Sequence, residues 1–146
     1  MRLLAAMTAL LALAFLVPFA APADAAGERG TLVAKQSRYG RVLFDGRGFV
    51  LYGFTADRPN RSRCNGPCAA AWPPLIVKRR PSAGAGTSER LLGVVRRRDG
   101  RLQATYDGKP LYYYVGDRRP GQILCQAVNE FGGDWLVVRP SGTYVR

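Results

Sequence analysis

Histidine is absent from the sequence, and acidic residues are scarce: 10 Asp and Glu stand against 22 Lys and Arg. Without histidine there is no Ser-His-Asp triad, no Cys-His dyad, no imidazole metal ligand and no side chain that titrates unaided near neutrality. Methionine is confined to Met1 and Met7 and cysteine to three positions, so a metal site is under-supplied with ligands and none is expected. Past Ala20 there is no apolar run long enough to span a bilayer. The 17 Gly and 10 Pro are spread through the chain without a period, which excludes a collagen-like array and favours a turn-rich globular protein.

What is present begins with an export signal. Arg2 precedes the apolar run from Leu3 to Ala20, Pro18 interrupts it, and Ala23-Asp24-Ala25 supplies a small-x-small cleavage site. Residues 1–25 are therefore expected to be a signal peptide, and 26–146 a single exported domain in the periplasm or outside the cell. A lipid anchor requires a cysteine directly after the apolar run, and the first cysteine is Cys64. Removing residues 1–25 takes away one base and one acid, so the charge stays at +12. Nineteen of the 22 basic residues are arginine, whose planar fork suits phosphate and carboxylate, although the codon preference of a GC-rich genome accounts for the same excess.

The chain repeats itself. Leu32, Gly40-Arg41, Leu51-Tyr52 and Asp57-Arg58 return 60 residues later as Leu92, Gly100-Arg101, Leu111-Tyr112 and Asp117-Arg118. Cys64 corresponds to Cys125 and Trp72 to Trp135 in the same order. Each copy alternates β-rich runs with turn signals such as Asp99-Gly100 and Asp107-Gly108, the dipeptides that favour hairpins. The spacing predicts strands at 31–35, 42–44 and 49–54, then 91–96, 102–106 and 111–115, with two further strands at 135–138 and 143–145. The expected fold is all-β: two duplicated three-stranded antiparallel meanders packed as one small domain. The repeats cover 31–78 and 91–146, and the polar, Gly- and Ser-containing stretch 79–90 is expected to be a flexible linker. One short helix is expected after the first copy, capped by Asn65 or Gly66, with Pro67 in its first turn and Ala69-Ala70-Ala71 inside.

Tyr52-Gly53-Phe54-Thr55-Ala56-Asp57 and Tyr112-Tyr113-Tyr114-Val115-Gly116-Asp117 share a Tyr-x-aromatic-x-x-Asp pattern. With the blocks Cys64-Asn65-Gly66-Pro67-Cys68 and Phe131-Gly132-Gly133-Asp134-Trp135, these resemble the bacterial secreted-repeat lipoproteins, a family of unknown function. The resemblance implies export and a duplicated β unit, and it implies no activity. The chain departs from it in lacking the lipid-anchor cysteine and in carrying Cys125.

The motif residues admit two uses. Tyr-x-aromatic puts Tyr52 with Phe54, and Tyr112 with Tyr114, on one face of a strand, where they would form the core between copies, with Trp72 and Trp135 as further core anchors or as ligand platforms. Asp57 and Asp117 would then accept backbone N–H bonds in the turns leading to Pro59 and Pro120. The alternative brings the two carboxylates together as an acid–base pair, but Arg58 and Arg118 are expected to hold both ionised. Cys64 and Cys68 are expected to form a disulfide and Cys125 to be a free thiol. Closing so short a loop stabilises by about 2 kcal/mol in the chain-entropy model. A redox role would use the same residues, with Cys68 near a helix N-terminus. Arg96, Arg97 and Arg98 with Arg118 and Arg119, all at turn positions, form the expected basic patch. Ser82, Ser88 and Ser141 lack a base partner, and Gly84-Ala85-Gly86 sits between no strand and helix of a phosphate-loop pattern.

Together these favour a binding or interaction module of the envelope over an enzyme, with no cofactor and with anionic envelope polymers or the membrane surface as partners. The alternative is a redox or electron-transfer accessory acting through its cysteines. Nucleic acid is not expected, because no aromatics are interleaved with the basic clusters.

Overall fold

The computed structural model describes residues 29–146, so the expected signal peptide lies outside the described residues. In chain order the elements are β1 (Thr31–Ser37), β2 (Gly40–Asp45), β3 (Tyr52–Phe54), α1 (Pro67–Ala71), β4 (Ile76–Val77), β5 (Ser82–Ala83), a single 3-10 turn (Glu89–Leu91), β6 (Leu92–Arg96), β7 (Leu102–Tyr106), β8 (Lys109–Pro110), β9 (Val128–Glu130) and β10 (Gly133–Val137). They make three small sheets, ordered β2-β1-β5, β3-β10-β9 and β4-β7-β6 with β8 beside β7.

Each copy opens with the expected hairpin. In the first, β1 and β2 pair antiparallel from Leu32 opposite Asp45 to Ser37 opposite Gly40, and Gly40 takes φ +81° at the turn. In the second, β6 and β7 pair from Leu92 opposite Tyr106 to Arg96 opposite Leu102, with Gly100 at φ +82°. The helix starts at Gly66 with Pro67 at its first position, where the missing N–H costs no hydrogen bond, and it ends at Trp72 before two prolines.

The copies do more than pack on each other. After its hairpin each chain segment turns back along the second strand, with Leu51 N–H donating to Leu43 O and Leu111 N–H to Ala104 O, both at 3.0 Å. The next residues, Tyr52 and Tyr112, then pair with one another across the copies, each N–H donating to the other's carbonyl at 2.9 Å. The last strand of each copy also crosses over. β4, from the first copy, pairs with β7 of the second, while β10, from the second, pairs with β3 of the first. Ala104 N–H accordingly donates to Leu75 O and Leu43 N–H to Val138 O, both at 2.9 Å. These equivalences define a pseudo-twofold axis between Tyr52 and Tyr112.

The aromatic core obeys the same symmetry. Trp72 and Trp135 stack on each other with centroids 4.1 Å apart and planes 4° from parallel. Phe54 stacks on the outer face of Trp135 at 4.2 Å, and Tyr114 lies tilted on Trp72 at 4.8 Å. Tyr52 meets Trp72 edge-on at 5.2 Å, and Tyr112 meets Trp135 edge-on at 5.1 Å. Glu130 serves both indoles, its carboxylate accepting from Trp72 Nε1 and its carbonyl from Trp135 Nε1. A buried indole N–H that lacked an acceptor would cost the desolvation of a polar group. At Gly53, between its two ringed neighbours, a Cβ would stand 2.6 Å from the Tyr144 ring, so a larger residue would have to displace that ring.

The connector 79–90 is a correction to the expected flexible linker. Its β5 pairs parallel with β1, Gly84 N–H donates to Leu32 O at 2.7 Å, and Thr87 Oγ1 donates to Leu32 O as well. Arg80 donates forward to the carbonyls of Glu89 and Leu92. The stretch is polar, but its polarity is spent on backbone groups of the first sheet and the incoming β6.

Trp135→Ala removes the ring that touches Trp72, Phe54 and Tyr112, and truncations of this kind cost about 3–5 kcal/mol. Urea unfolding should register that loss as a lower midpoint with an unchanged slope. A loss under about 1 kcal/mol would mean the stack is peripheral to stability.

Candidate functional site

The motif tyrosines and aspartates form two crossed clamps. The Tyr52 hydroxyl, from the first copy, donates to Asp117 Oδ2 of the second at 2.7 Å. The Tyr112 hydroxyl, from the second, donates to Asp57 Oδ2 of the first at 2.7 Å. The remaining oxygen of each carboxylate holds a loop: Asp57 Oδ1 accepts Arg63 N–H at 2.7 Å, and Asp117 Oδ1 accepts Leu124 N–H at 3.0 Å. The loop contacts thus fall six or seven residues downstream, beyond Pro59 and Pro120, and not in the turns immediately before those prolines as the sequence had suggested.

Arginines complete each clamp from the opposite copy. Arg38, at the end of the first hairpin, donates from Nη2 to Ile123 O at 2.6 Å. Arg97, at the turn of the second hairpin, donates from Nη2 to Cys64 O at 2.7 Å and from Nη1 to Gln103 Oε1 and Ser62 Oγ. The Arg97 side chain is only 2% exposed, which corrects its expected place in a solvated basic patch. A buried guanidinium is tolerated here because four acceptors converge on it, Asn65 Oδ1 being the fourth. Its flanking residues Arg96 and Arg98 are exposed, as are Arg118 and Arg119 on the loop after Asp117.

Burial sets the protonation states. Asp57 is pushed up to about 6, chiefly by burial and against the opposing pull of Arg63 N–H, the Tyr112 hydroxyl and the Arg97 charge. Asp117 is also raised by burial. Arg58 and Arg118 are not among the main groups acting on either carboxylate, and burial outweighs the neighbouring positive charge at Asp57. Tyr52 and Tyr112 are raised far above the ordinary phenol value, by burial first and by their carboxylate partners next, so both remain donors. Neither aspartate acts on the other, and every carboxylate oxygen already has a donor. The arrangement therefore holds loops and offers no proton to a ligand, and the two carboxylates are not brought together as an acid–base pair.

Cys64 and Cys68 are joined as expected, and Cys125 is the free thiol, half-buried, its proximity raising the Tyr114 hydroxyl above the ordinary phenol value. Tyr52, Tyr112, Trp72 and Trp135 are fully buried and Phe54 nearly so, which leaves these rings no surface for a ligand, while Tyr114 is partly exposed. Among the described residues no cluster of Cys, Asp and Glu has the make-up of a metal site, and no helix is long and apolar enough to cross a membrane.

A family model described as a secreted repeat of unknown function matches residues 33–76 and 93–139, more than half of the chain. The chain belongs to that secreted-repeat family. The two matched segments are the two structural copies, and each ends in the strand or strand edge that crosses to the other copy. No curated protein and no solved structure matches the chain. The secreted repeat thus comes with a location and an architecture and without an assigned activity. What sequence reasoning missed lies in the first clamped loop: Arg58, Arg61 and Arg63 gather there, and the available signal was three arginines in six positions between the motif aspartate and Cys64.

The raised Asp57 fixes the sign of a pH effect. Its native carboxyl holds a proton more tightly than the unfolded chain does, so its contribution to stability is full below about pH 4 and is lost as pH rises through about 6. Carboxyl-detected NMR should place the Asp57 midpoint near 6, and denaturant unfolding of Asp57→Asn should lack the part of the pH 4–6 slope that Asp57 supplies. A midpoint at or below about 4 would contradict the burial argument.

Proposed function

We propose that this secreted repeat is a binding module of the cell envelope, acting in the periplasm or outside the cell after removal of residues 1–25, and that its partners are anionic envelope polymers or acidic membrane surfaces. The observation that carries this reading is the unpaired basic charge. Against a net charge of +12, the ion pairs among the described residues involve only Arg47, Arg97, Arg101 and Lys109. Arg96, Arg98, Arg118 and Arg119 are exposed and have no such partner. A field of that sign extends about 30 Å at 0.01 M salt and about 8 Å at physiological salt, and it draws polyanions at a rate that salt suppresses.

The redox alternative finds weaker support. Cys64 is fully buried and Cys68 is 6% exposed, and thiol–disulfide exchange requires an attacking thiolate to reach a sulfur. The disulfide sits between the clamped loop and α1, where it fixes the backbone that Arg97 holds.

Vesicles of graded phosphatidylglycerol content test the binding reading. Affinity should rise with anionic content and fall steeply with salt. Converting Arg96, Arg98, Arg118 and Arg119 to Gln together should weaken it more than converting the equally exposed Arg29, Arg41, Arg79 and Arg90. Equal losses from both sets would reduce the patch to undirected charge, and no binding at low salt would overturn the reading.

A further inference from the structure

The loop pinned by Asp57 carries a more specific feature than exposed charge. Arg58 and Arg61 close a tight turn, Arg58 N–H donating to Arg61 O at 3.1 Å and Arg61 N–H to Arg58 O at 2.9 Å, with Asn60 between them at φ +53°. Asn60 N–H is tied to Gly108 O of the second copy at 2.7 Å, and Arg63 N–H to Asp57. The disulfide begins at the next residue, Cys64. The backbone that presents Arg58, Arg61 and Arg63 is thus fixed along its whole length, and Arg98 joins them from the second copy.

Together Arg58, Arg61, Ser62, Arg63, Asn65 and Arg98 line a cavity of about 330 Å³. No acidic residue lines it, and none of its four guanidinium groups makes an ion pair among the described residues. The nearby carboxylates are engaged elsewhere, Asp57 with Tyr112 and the Arg63 N–H, and Asp99 with Arg101 at 2.7 Å. Behind the lining lies the buried Arg97, bonded to Ser62 Oγ at 2.9 Å and to Asn65 Oδ1 at 3.4 Å. With Asn65 Oδ1 turned toward Arg97, the Nδ2 donor of the amide is left for other partners. Arg97 Nε is itself buried with no hydrogen-bond partner, 3.8 Å from Asp99. Five guanidinium groups held around one concavity repel one another, and a fixed backbone keeps the loop from relieving that repulsion by spreading.

We propose that this cavity is a binding site for a phosphate dianion, taken up by bidentate arginine forks. Scattered surface charge attracts any polyanion equally, whereas a rigid ring of forks discriminates by shape and by charge per group. A dianionic phosphate monoester or free phosphate offsets more of the clustered charge than a monoanionic diester does. The site gives the anion-binding reading above a location and a ligand class, and rests on that reading only for the sign of the ligand.

The test uses the purified protein at constant ionic strength, with inorganic phosphate as the probe and backbone amide NMR as the readout. Saturable shifts are expected at Arg58, Arg61, Arg63, Asn65 and Arg98. Arg61→Lys and Arg98→Lys, which keep the charge and lose the fork, should each weaken binding about tenfold, while Arg118→Lys and Arg119→Lys leave it unchanged. Phosphatidic acid vesicles preferred over phosphatidylglycerol vesicles would place the phosphate on a lipid, and saturation without that preference would place it on a soluble carrier; both support the site. Linear shifts without saturation, or Lys variants that bind like the parent, overturn it. Salt-sensitive vesicle binding without saturable phosphate removes the cavity and leaves the surface-charge reading. Saturable phosphate without vesicle binding does the reverse.

Discussion

Two tyrosines hold the molecule together. Tyr52 and Tyr112 exchange backbone hydrogen bonds across the pseudo-twofold axis, and each sends its hydroxyl into the other copy to reach the motif aspartate there. Neither three-stranded copy has enough strands to cover its own apolar face, and isolated hairpins are marginal in water. Exchange solves this by making the cover of each copy out of the other. The last strand of the first copy completes the second hairpin, and that of the second copy pairs with β3. The stack from Phe54 through Trp135 and Trp72 to Tyr114 then fills the space on the axis.

From that constraint the loops follow. An aspartate whose one oxygen is fixed by a buried tyrosine from the other copy has its second oxygen in a defined place, and that oxygen takes Arg63 N–H in one copy and Leu124 N–H in the other. Arg97 and Arg38 brace the same loops from the opposite copy. The core is therefore nearly symmetric, whereas the loop chemistry is not. The first loop carries arginines and a disulfide, and the second carries Arg118 and Arg119 with the unpaired Cys125. Duplication preserved the clamp and left the two loops to diverge.

Much of the fold was legible in the residues. The repeat, the two hairpins, the helix opening at Gly66-Pro67 and the Cys64–Cys68 bridge all depend on local signals such as turn dipeptides, alternation and short loop closure. What was hidden is pairing at a distance. The pattern of Tyr52-Gly53-Phe54 shows that two rings share a face, but nothing in it tells that the partner strand is β10 of the other copy. The connector 79–90 looked free because a two-residue parallel pairing leaves no periodic trace. Arg97 looked solvated because it stands in a run of three arginines beside a turn; its burial depends on Gln103, Ser62 and the Cys64 carbonyl, which only the fold assembles. The rise in both aspartates was hidden for the same reason, since proximity in sequence to Arg58 and Arg118 counted for less than desolvation.

If the crossed clamps make the two copies one cooperative unit, native-state hydrogen exchange reports it directly. The amides of Tyr52 and Tyr112, of Leu43 in the first hairpin and of Ala104 in the second are all bonded to partner carbonyls at 2.9 Å. They should exchange with one common free energy, equal to that of global unfolding, and with one common denaturant dependence. Exchange of Ala104 and its neighbours at a distinctly lower free energy than Leu43, or the reverse, would show one copy opening while the other stays folded, and would contradict the account.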